Sequence, residues 1–354
     1  MVVFKTMRHD SFPSKLKTLL SAGWLVIFCL AAVRCAPLTD LPTSHPLVET
    51  AQTAVAPSAN AGQAQPTPIL APSATFTLAP ADTTVPTATA APQVVRFAVI
   101  SDYGNDNQGE KDVSELVKSW NPDFVITTGD NNHLGSATET NDRVIGQYYH
   151  EFIYPYHGAY GPGADQNRFF PTLGNHDWDS QNAQPYLDYF ELPGNERYYD
   201  FVWGVVHFFA IDADSREPDG VSQVSVQARW LQEQLAGSTS LWNVVYFHQS
   251  PYSSGTHGST EWMRWPFAAW GASVVFSGHD HDYERLLIDG IPYFVDGLGG
   301  GPIYGFTGSI AGSQVQYNQD YGAMLVIADS QQMTFQFINR KGKVIDTYQI
   351  TRPQ

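Results

Sequence analysis

Val94-Val95-Arg96-Phe97-Ala98-Val99-Ile100-Ser101-Asp102-Tyr103-Gly104 begins the segment from which the architecture follows. The run to Ser101 is β-branched and aromatic, which predicts a buried strand ending on an aspartate. Glu110–Trp120 follows with Val113, Leu116, Val117 and Trp120 on one helical face. Asp123–Thr128 then reads as a second buried strand running into Gly129-Asp130. A strand–helix–strand unit with an aspartate past each strand matches the way open α/β sheets place their sites.

The theme repeats downstream. Arg168–Leu173 runs into Gly174-Asn175-His176-Asp177, Asn243–Phe247 into His248, and Ser273–Ser277 into Gly278-His279-Asp280-His281. Helical patterns fit Thr138–Ile153, Ser225–Leu235 and Thr260–Trp270. Strand-like stretches with hairpin signals fill Tyr198–Asp212, Tyr283–Asp296, Ala323–Asp329 and Met333–Ile350, the last with a turn at Arg340-Lys341-Gly342-Lys343. No internal repeat is evident, which argues against a solenoid or propeller.

Upstream the composition is different. Residues 36–92 are mostly Ala, Pro, Thr, Ser and Gln, with Asp40, Glu49 and Asp82 their only charges and Phe76 their only aromatic. Such a stretch cannot bury enough apolar surface to offset chain entropy, so it reads as a disordered linker, either a stalk or a plain leader. Before it, basic residues up to Lys17 precede an uncharged apolar run, Thr18–Val33, in the order of an export signal. Cys35 stands where a bacterial lipoprotein carries its acylated cysteine, although Arg34 occupies a position that motif gives to a small residue. A lipid tether through Cys35, an uncleaved signal-anchor and a cleaved signal therefore share this pattern. Each places the folded part outside the cytoplasm. The expected organisation is 1–35 export signal or membrane anchor, 36–92 linker, and 93–354 a single catalytic domain.

From Gln93 onward the chain holds 14 basic against 31 acidic residues, a net charge of −17. That argues against a nucleic-acid groove, which needs a basic face. Cys29 and Cys35, the only cysteines, both precede the linker, so the folded part has no disulfide, thiolate metal site or cysteine nucleophile. Oligomeric state is not legible.

The strand ends offer Asp102, Asp130, Asn175, His248 and the pair His279/His281. A carboxylate, amide and imidazole set without sulfur suits two hard or borderline metals, with one carboxylate bridging. Each piece alone is common as a cap or a turn. Their succession, each after a buried strand, carries the signal.

The blocks Ser101-Asp102-Tyr103-Gly104, Gly129-Asp130-Asn131-Asn132, Gly174-Asn175-His176-Asp177, His248 and Gly278-His279-Asp280-His281 resemble those of the calcineurin-like metallophosphoesterases. Within that superfamily they most resemble the small, single-domain purple acid phosphatases. The resemblance implies an α/β fold, a four-layer αββα sandwich with the site at the edges of two central sheets. It implies two metal ions (Fe, Mn or Zn) and a phosphate ester substrate, hydrolysed as in an acid phosphatase by hydroxide attack. It puts Asp102, Asp130 and His281 on one metal, and Asp130, Asn175, His248 and His279 on the other. His176 is implied as the acid that protonates the leaving alcohol and binds a phosphate oxygen.

One position departs from the pattern. Purple acid phosphatases carry a tyrosine three residues after the Gly-Asp aspartate, whereas this chain has His133, which we expect to complete the first metal's ligands. Without that phenolate the enzyme is expected to be colourless. His257, in a Tyr-Ser-Ser-Gly-rich loop, matches a substrate-facing histidine of the same branch. Gly297-Leu298-Gly299-Gly300-Gly301 has no following Lys-Ser/Thr, so it is not a P-loop and instead suits close backbone approach near the metals. His150, His157 and His207 have no partner motif and read as structural. Two rivals remain at this level. One is a phosphodiesterase or nucleotide hydrolase, with the aromatics of Tyr148–Tyr160 and Trp262–Trp270 stacking a base; the other is a surface-tethered binding protein with a relict site.

Overall fold

The computed structural model describes residues 94–135 and 137–352; the expected export segment with Cys35 and the linker lie outside the described residues. The strands run in chain order as β1 (Val95–Ile100), β2 (Phe124–Thr127), β3 (Phe169–Pro171), β4 (Tyr199–Trp203), β5 (Val206–Ala210) and β6 (Trp242–Gln249). They continue as β7 (Val274–Gly278), β8 (Tyr283–Ile288), β9 (Ile291–Asp296), β10 (Ser313–Tyr317), β11 (Gly322–Ala328), β12 (Gln332–Asn339) and β13 (Val344–Thr351). One sheet has the order β13-β12-β11-β1-β2-β3 and the other β10-β8-β9-β7-β6-β5-β4. β1, β2 and β3 are parallel neighbours, as are β5, β6 and β7.

Period-two alternation decides what each strand faces. In β1, Val95, Phe97 and Val99 join one buried cluster with Phe208 of β5, Val244 and Tyr246 of β6 and Phe276 of β7. The Phe97 ring meets Phe208 edge-on at 5.0 Å, so the two sheets pack face to face. Ala98 and Ile100 point the other way, onto Val113 and Val117 of the helix Gln108–Ser119. Val245 and Phe247 of β6 likewise leave the central layer for Ala228, Leu231 and Leu235 of the helix Val226–Gly237. The result is the αββα order expected. Both long helices are capped: Asn107 accepts from the Glu110 N–H and Ser225 from the Ala228 N–H.

Two expected helices are not continuous. Thr138–Ile153 breaks into short pieces around a wide helical turn, Asp142–Gly146. There the Asp142 carboxylate is claimed by the Tyr156 and Tyr189 hydroxyls and the Ala159 N–H. Thr260–Trp270 keeps only the turns Glu261–Met263 and Phe267–Trp270, because Pro266 removes a donor and disfavours helical geometry at Trp265. The edge strand β10 and the turn Asn175–Trp178 had no periodic signal. Among the described residues no helix is long and apolar enough to cross a membrane.

Candidate metal centre

Five strand ends converge on one edge of the sandwich. β1 delivers Asp102, β2 Asp130, β3 Asn175, and β6 and β7 deliver His248, His279 and His281. The β6–β7 register shifts between Tyr246 and Gln249, so His248 sits at an irregularity that re-aims its side chain. Asp102, Asp130 and His279 take left-handed φ values of 53°, 50° and 72°, costly for residues with a Cβ unless the surroundings enforce them. Here the carboxylates do so: the His279 N–H donates to Asp102 Oδ2 at 3.0 Å, and the His176 N–H donates to Asp130 Oδ1 at 2.8 Å. A Cβ at Gly174 would lie 2.2 Å from Asp130 Oδ1, and one at Gly301 would lie 2.7 Å from the His281 ring. The glycines therefore serve close approach, as expected for the Gly297–Gly301 run.

A buried knot fixes the first three loops to one another. Asp177 Oδ2 accepts from the N–H of Gly174 (2.9 Å) and of Asn131 (3.2 Å), and from Asn131 Nδ2 (2.9 Å). Asn131 Nδ2 also donates to the Thr172 carbonyl, while its Oδ1 accepts from the Tyr103 and Thr127 hydroxyls. Neither side chain enters the ligand clusters; both hold the loops that do.

Two clusters of ligand-type atoms share Asp130. Asp102, Asp130, His133 and His281 form one, and Asp130, His248 and His279 the other, with the ligand atoms of each within 4.8 Å of one another. His248 donates from Nδ1 to the Thr128 carbonyl at 2.9 Å, which directs Nε2 inward as the atom that would ligate. That Nε2 lies 3.2 Å from Asp130 Oδ2, 3.1 Å from Asn175 Oδ1 and 3.2 Å from His279 Nδ1. His281 is oriented in the same way by the Pro302 carbonyl (2.7 Å), and its Nε2 lies 3.3 Å from Asp102 Oδ1. His133 Nε2 lies 3.5 Å from Asp130 Oδ2, and its Nδ1 is 3.2 Å from the Asn105 amide.

Burial raises the Asp130 carboxyl, but His248 and His133 outweigh it and hold the group well below the usual range; burial likewise raises Asp102, and His281 and His248 lower it on balance. His248 is pushed up to about 10 despite its burial, by Asp130 and then Asp102, whereas burial, His248 and His257 push His279 down to about 3. Two anionic carboxylates thus sit among imidazoles that compete for few protons, a setting in which cations can take the place of protons. The donor atoms fit that role. Asp102 Oδ1 and His133 Nε2 are both buried and make no well-formed hydrogen bond, their nearest partners being His281 Nε2 at 3.3 Å and Asp130 Oδ2 at 3.5 Å, a shortfall that metal ligation would remove.

His176 stands at the rim with its side chain 44% exposed, 4.6 Å from the His133 ring and with Nδ1 3.5 Å from Asp179 Oδ2. His257 is exposed and stacks on the His279 ring at 4.3 Å. Sequence reasoning missed Tyr304, which lies flat on His281 at 4.2 Å and 4°. It also missed Arg216, which donates to the Asn175 carbonyl and to Asp214 and Asp179. No spacing links either to the motif blocks. His207 is held by Asp200 and Ser238, and the His150 ring by the Gly146 carbonyl. His157 lines a separate cavity with Asp142 and Tyr189. Tyr149, Trp265 and Phe267 of the aromatic stretches are core residues.

The sequence model of the calcineurin-like phosphoesterase family matches residues 95–283, more than half of the chain. Purple acid phosphatase 15 of Arabidopsis thaliana is 28% identical over 221 residues, which cover 54% of this chain and 40% of that protein. Tartrate-resistant acid phosphatase type 5 of Rattus norvegicus is 23% identical over 250 residues, covering 60% of this chain and 74% of that one. The chain therefore spans less than half the length of the plant relative. The solved purple acid phosphatase from yellow lupin (Lupinus luteus) seeds shares the fold, with a TM-score of 0.62 at 17% identity, covering 74% of this chain and 54% of that one. The chain belongs to the calcineurin-like phosphoesterase family, and within it is similar to the purple acid phosphatases.

Proposed function

We propose that residues 93–354 form a catalytic domain that hydrolyses phosphoric esters, phosphomonoesters first, at the paired clusters. The observation that carries this reading is the sharing of Asp130 between two sets of inward-facing donors. Asp102, Asp130, His133 and His281 would hold one metal, and Asp130, Asn175, His248 and His279 the second. An oxygen and nitrogen set without sulfur fits Fe, Mn or Zn. Bound there, such a pair supplies Lewis-acid polarisation of the phosphoryl group and an activated water for in-line attack.

The chain's own groups do the rest. His176, at the rim and 4.6 Å from the His133 ring, is placed to act as the acid toward the departing oxygen, with Asp179 beside its Nδ1 edge. His257, across the centre on the His279 ring, donates to a phosphate oxygen and orients the ester. Arg216 keeps the Asn175-His176 turn in place through the Asn175 carbonyl. The order of residues 1–35 adds that this chemistry takes place outside the cytoplasm.

Hydrolysis of p-nitrophenyl phosphate and of bis-p-nitrophenyl phosphate by the Mn-, Fe- or Zn-loaded chain tests the proposal. Faster turnover of the monoester is expected. Preference for the diester would make the protein a phosphodiesterase, and turnover of neither would leave a binding protein.

A further inference from the structure

Asp280 lies between two residues of the ligand clusters, His279 and His281, yet its carboxylate belongs to neither cluster and is bound by another loop. It is fully buried. Its Oδ1 accepts from the His257 N–H at 2.6 Å, and its Oδ2 accepts from the Ser253 hydroxyl at 2.5 Å and the Gly258 N–H at 3.1 Å. Three donors from one irregular loop therefore converge on one carboxylate, and bonds of this charge-assisted kind are the strong ones. Glu284, on β8, repeats the device next door: it accepts from the N–H and hydroxyl of Ser254 at 2.7 and 2.6 Å. The loop between β6 and the Glu261–Met263 turn is thus tied to the segment that carries His279 and His281.

That tie ends at the ring of His257. His257 stacks on His279 at 4.3 Å and meets Tyr304 edge-on at 5.4 Å, while Tyr304 lies flat on His281. The exposed imidazole is placed by these ring contacts above and by the Asp280 carboxylate that holds its backbone N–H beneath. We infer that Asp280 is a positioning residue, whose buried carboxylate holds the 251–259 loop so that the His257 ring stays against His279 and over the centre. The inference rests on the phosphoesterase reading for the task of His257, and it adds a residue whose effect passes through another.

A double-mutant cycle isolates such an effect. Asp280→Asn, Asp280→Ala, His257→Ala and the two double variants are compared in the full chain. Two readouts are used, kcat/KM for p-nitrophenyl phosphate and the affinity for inorganic phosphate by calorimetry. Asn can accept at one oxygen position only, so Asp280→Asn keeps part of the clamp and Asp280→Ala none. The expected result is a graded loss, a few-fold for Asn and at least about tenfold for Ala, seen mainly in KM and with metal content unchanged. In the His257→Ala background the same substitutions should change kcat/KM less than about twofold. Should Asp280→Ala not fold, the Asn pair decides alone. Full additivity, a wild-type Asp280→Asn, or loss of metal from it overturns the inference, the last by showing that Asp280 acts through His279 and His281. If the metal-loaded wild type binds phosphate but hydrolyses no ester, the functional reading fails while the cycle still runs on phosphate affinity. No phosphate binding at all overturns both.

Discussion

Replacing Asp177 by Ala and by Asn separates two roles that the Gly174-Asn175-His176-Asp177 turn combines. Asp177 accepts three N–H donors on a single oxygen, Oδ2, and lies 3% exposed. Alanine orphans all three, and an unmet buried donor costs about 1–3 kcal/mol. Allowing for water entering the space, the loss is about 3–5 kcal/mol, which for a domain of this size lowers Tm by roughly 6–15 °C. Asparagine can present its carbonyl oxygen to the same three donors. Burial and the neighbouring Asp130 already push the Asp177 carboxyl up to about 7, so at mildly acidic pH the amide replaces a group that is itself largely neutral. Asp177→Asn should therefore stay within about 1 kcal/mol of wild type. Thermal unfolding of the metal-free chain at pH 6, followed by circular dichroism, reads both. Asp177→Ala should also bind metal more weakly, because Asn131 and the Asn175 turn lose their common anchor. An Asp177→Ala variant as stable as wild type would refute this reasoning, as would an Asn variant no better than Ala.

Three further outcomes follow from the geometry. His176→Ala should retain metal while slowing poor leaving groups by about 10²–10⁴-fold and p-nitrophenolate much less; equal losses across a leaving-group series would remove its role as acid. The ferric-loaded wild type should be colourless and His133→Tyr should gain a visible charge-transfer band, whereas a strong band in the wild type would show that a phenolate other than residue 133 binds iron. Asp282 is fully buried with neither oxygen partnered, and burial, then Asp280 and Glu284, push its carboxyl up to about 9. A raised carboxyl keeps its proton in the fold while the unfolded chain has lost it, so its contribution to stability declines as pH rises from about 4 toward 9. In metal-free protein Asp282→Asn should raise Tm at pH 8 by at least about 3 °C and change it little at pH 4; equal effects at both would contradict the sign.

The central strands were legible because a sandwich buried on both faces demands near-continuous apolar runs, and Val94–Ser101 and Asn243–Phe247 supply them, whereas the half-exposed edge strand β10 does not. The turns after most of these runs were legible because Gly-Asp, Gly-Asn-His and Gly-His-x-His put a glycine and polar side chains directly after an apolar strand. Proline outweighed periodicity: Pro266 interrupts helical geometry between the turns Glu261–Met263 and Phe267–Trp270. The break at Asp142 depends on Tyr156, Tyr189 and Ala159, partners that periodicity does not report. The supporting residues were hidden for a similar reason. Asp280 could be seen as a spacer between two histidines, but its partners at 253, 257 and 258 meet it only in the fold. Tyr304 and Arg216 reach the centre from loops that carry no motif. What a single sequence conveys is the donor set, while the contacts that aim the donors are long-range.

The central claim is that the two clusters sharing Asp130 act as one two-metal hydrolytic site. Titrating Mn²⁺ into the chelator-stripped full chain, while following release of p-nitrophenolate from p-nitrophenyl phosphate, addresses it directly. The account predicts negligible hydrolysis in the stripped protein and a rise that saturates at two equivalents of metal per chain. Hydrolysis that survives stripping, or saturation at a single equivalent, would contradict it.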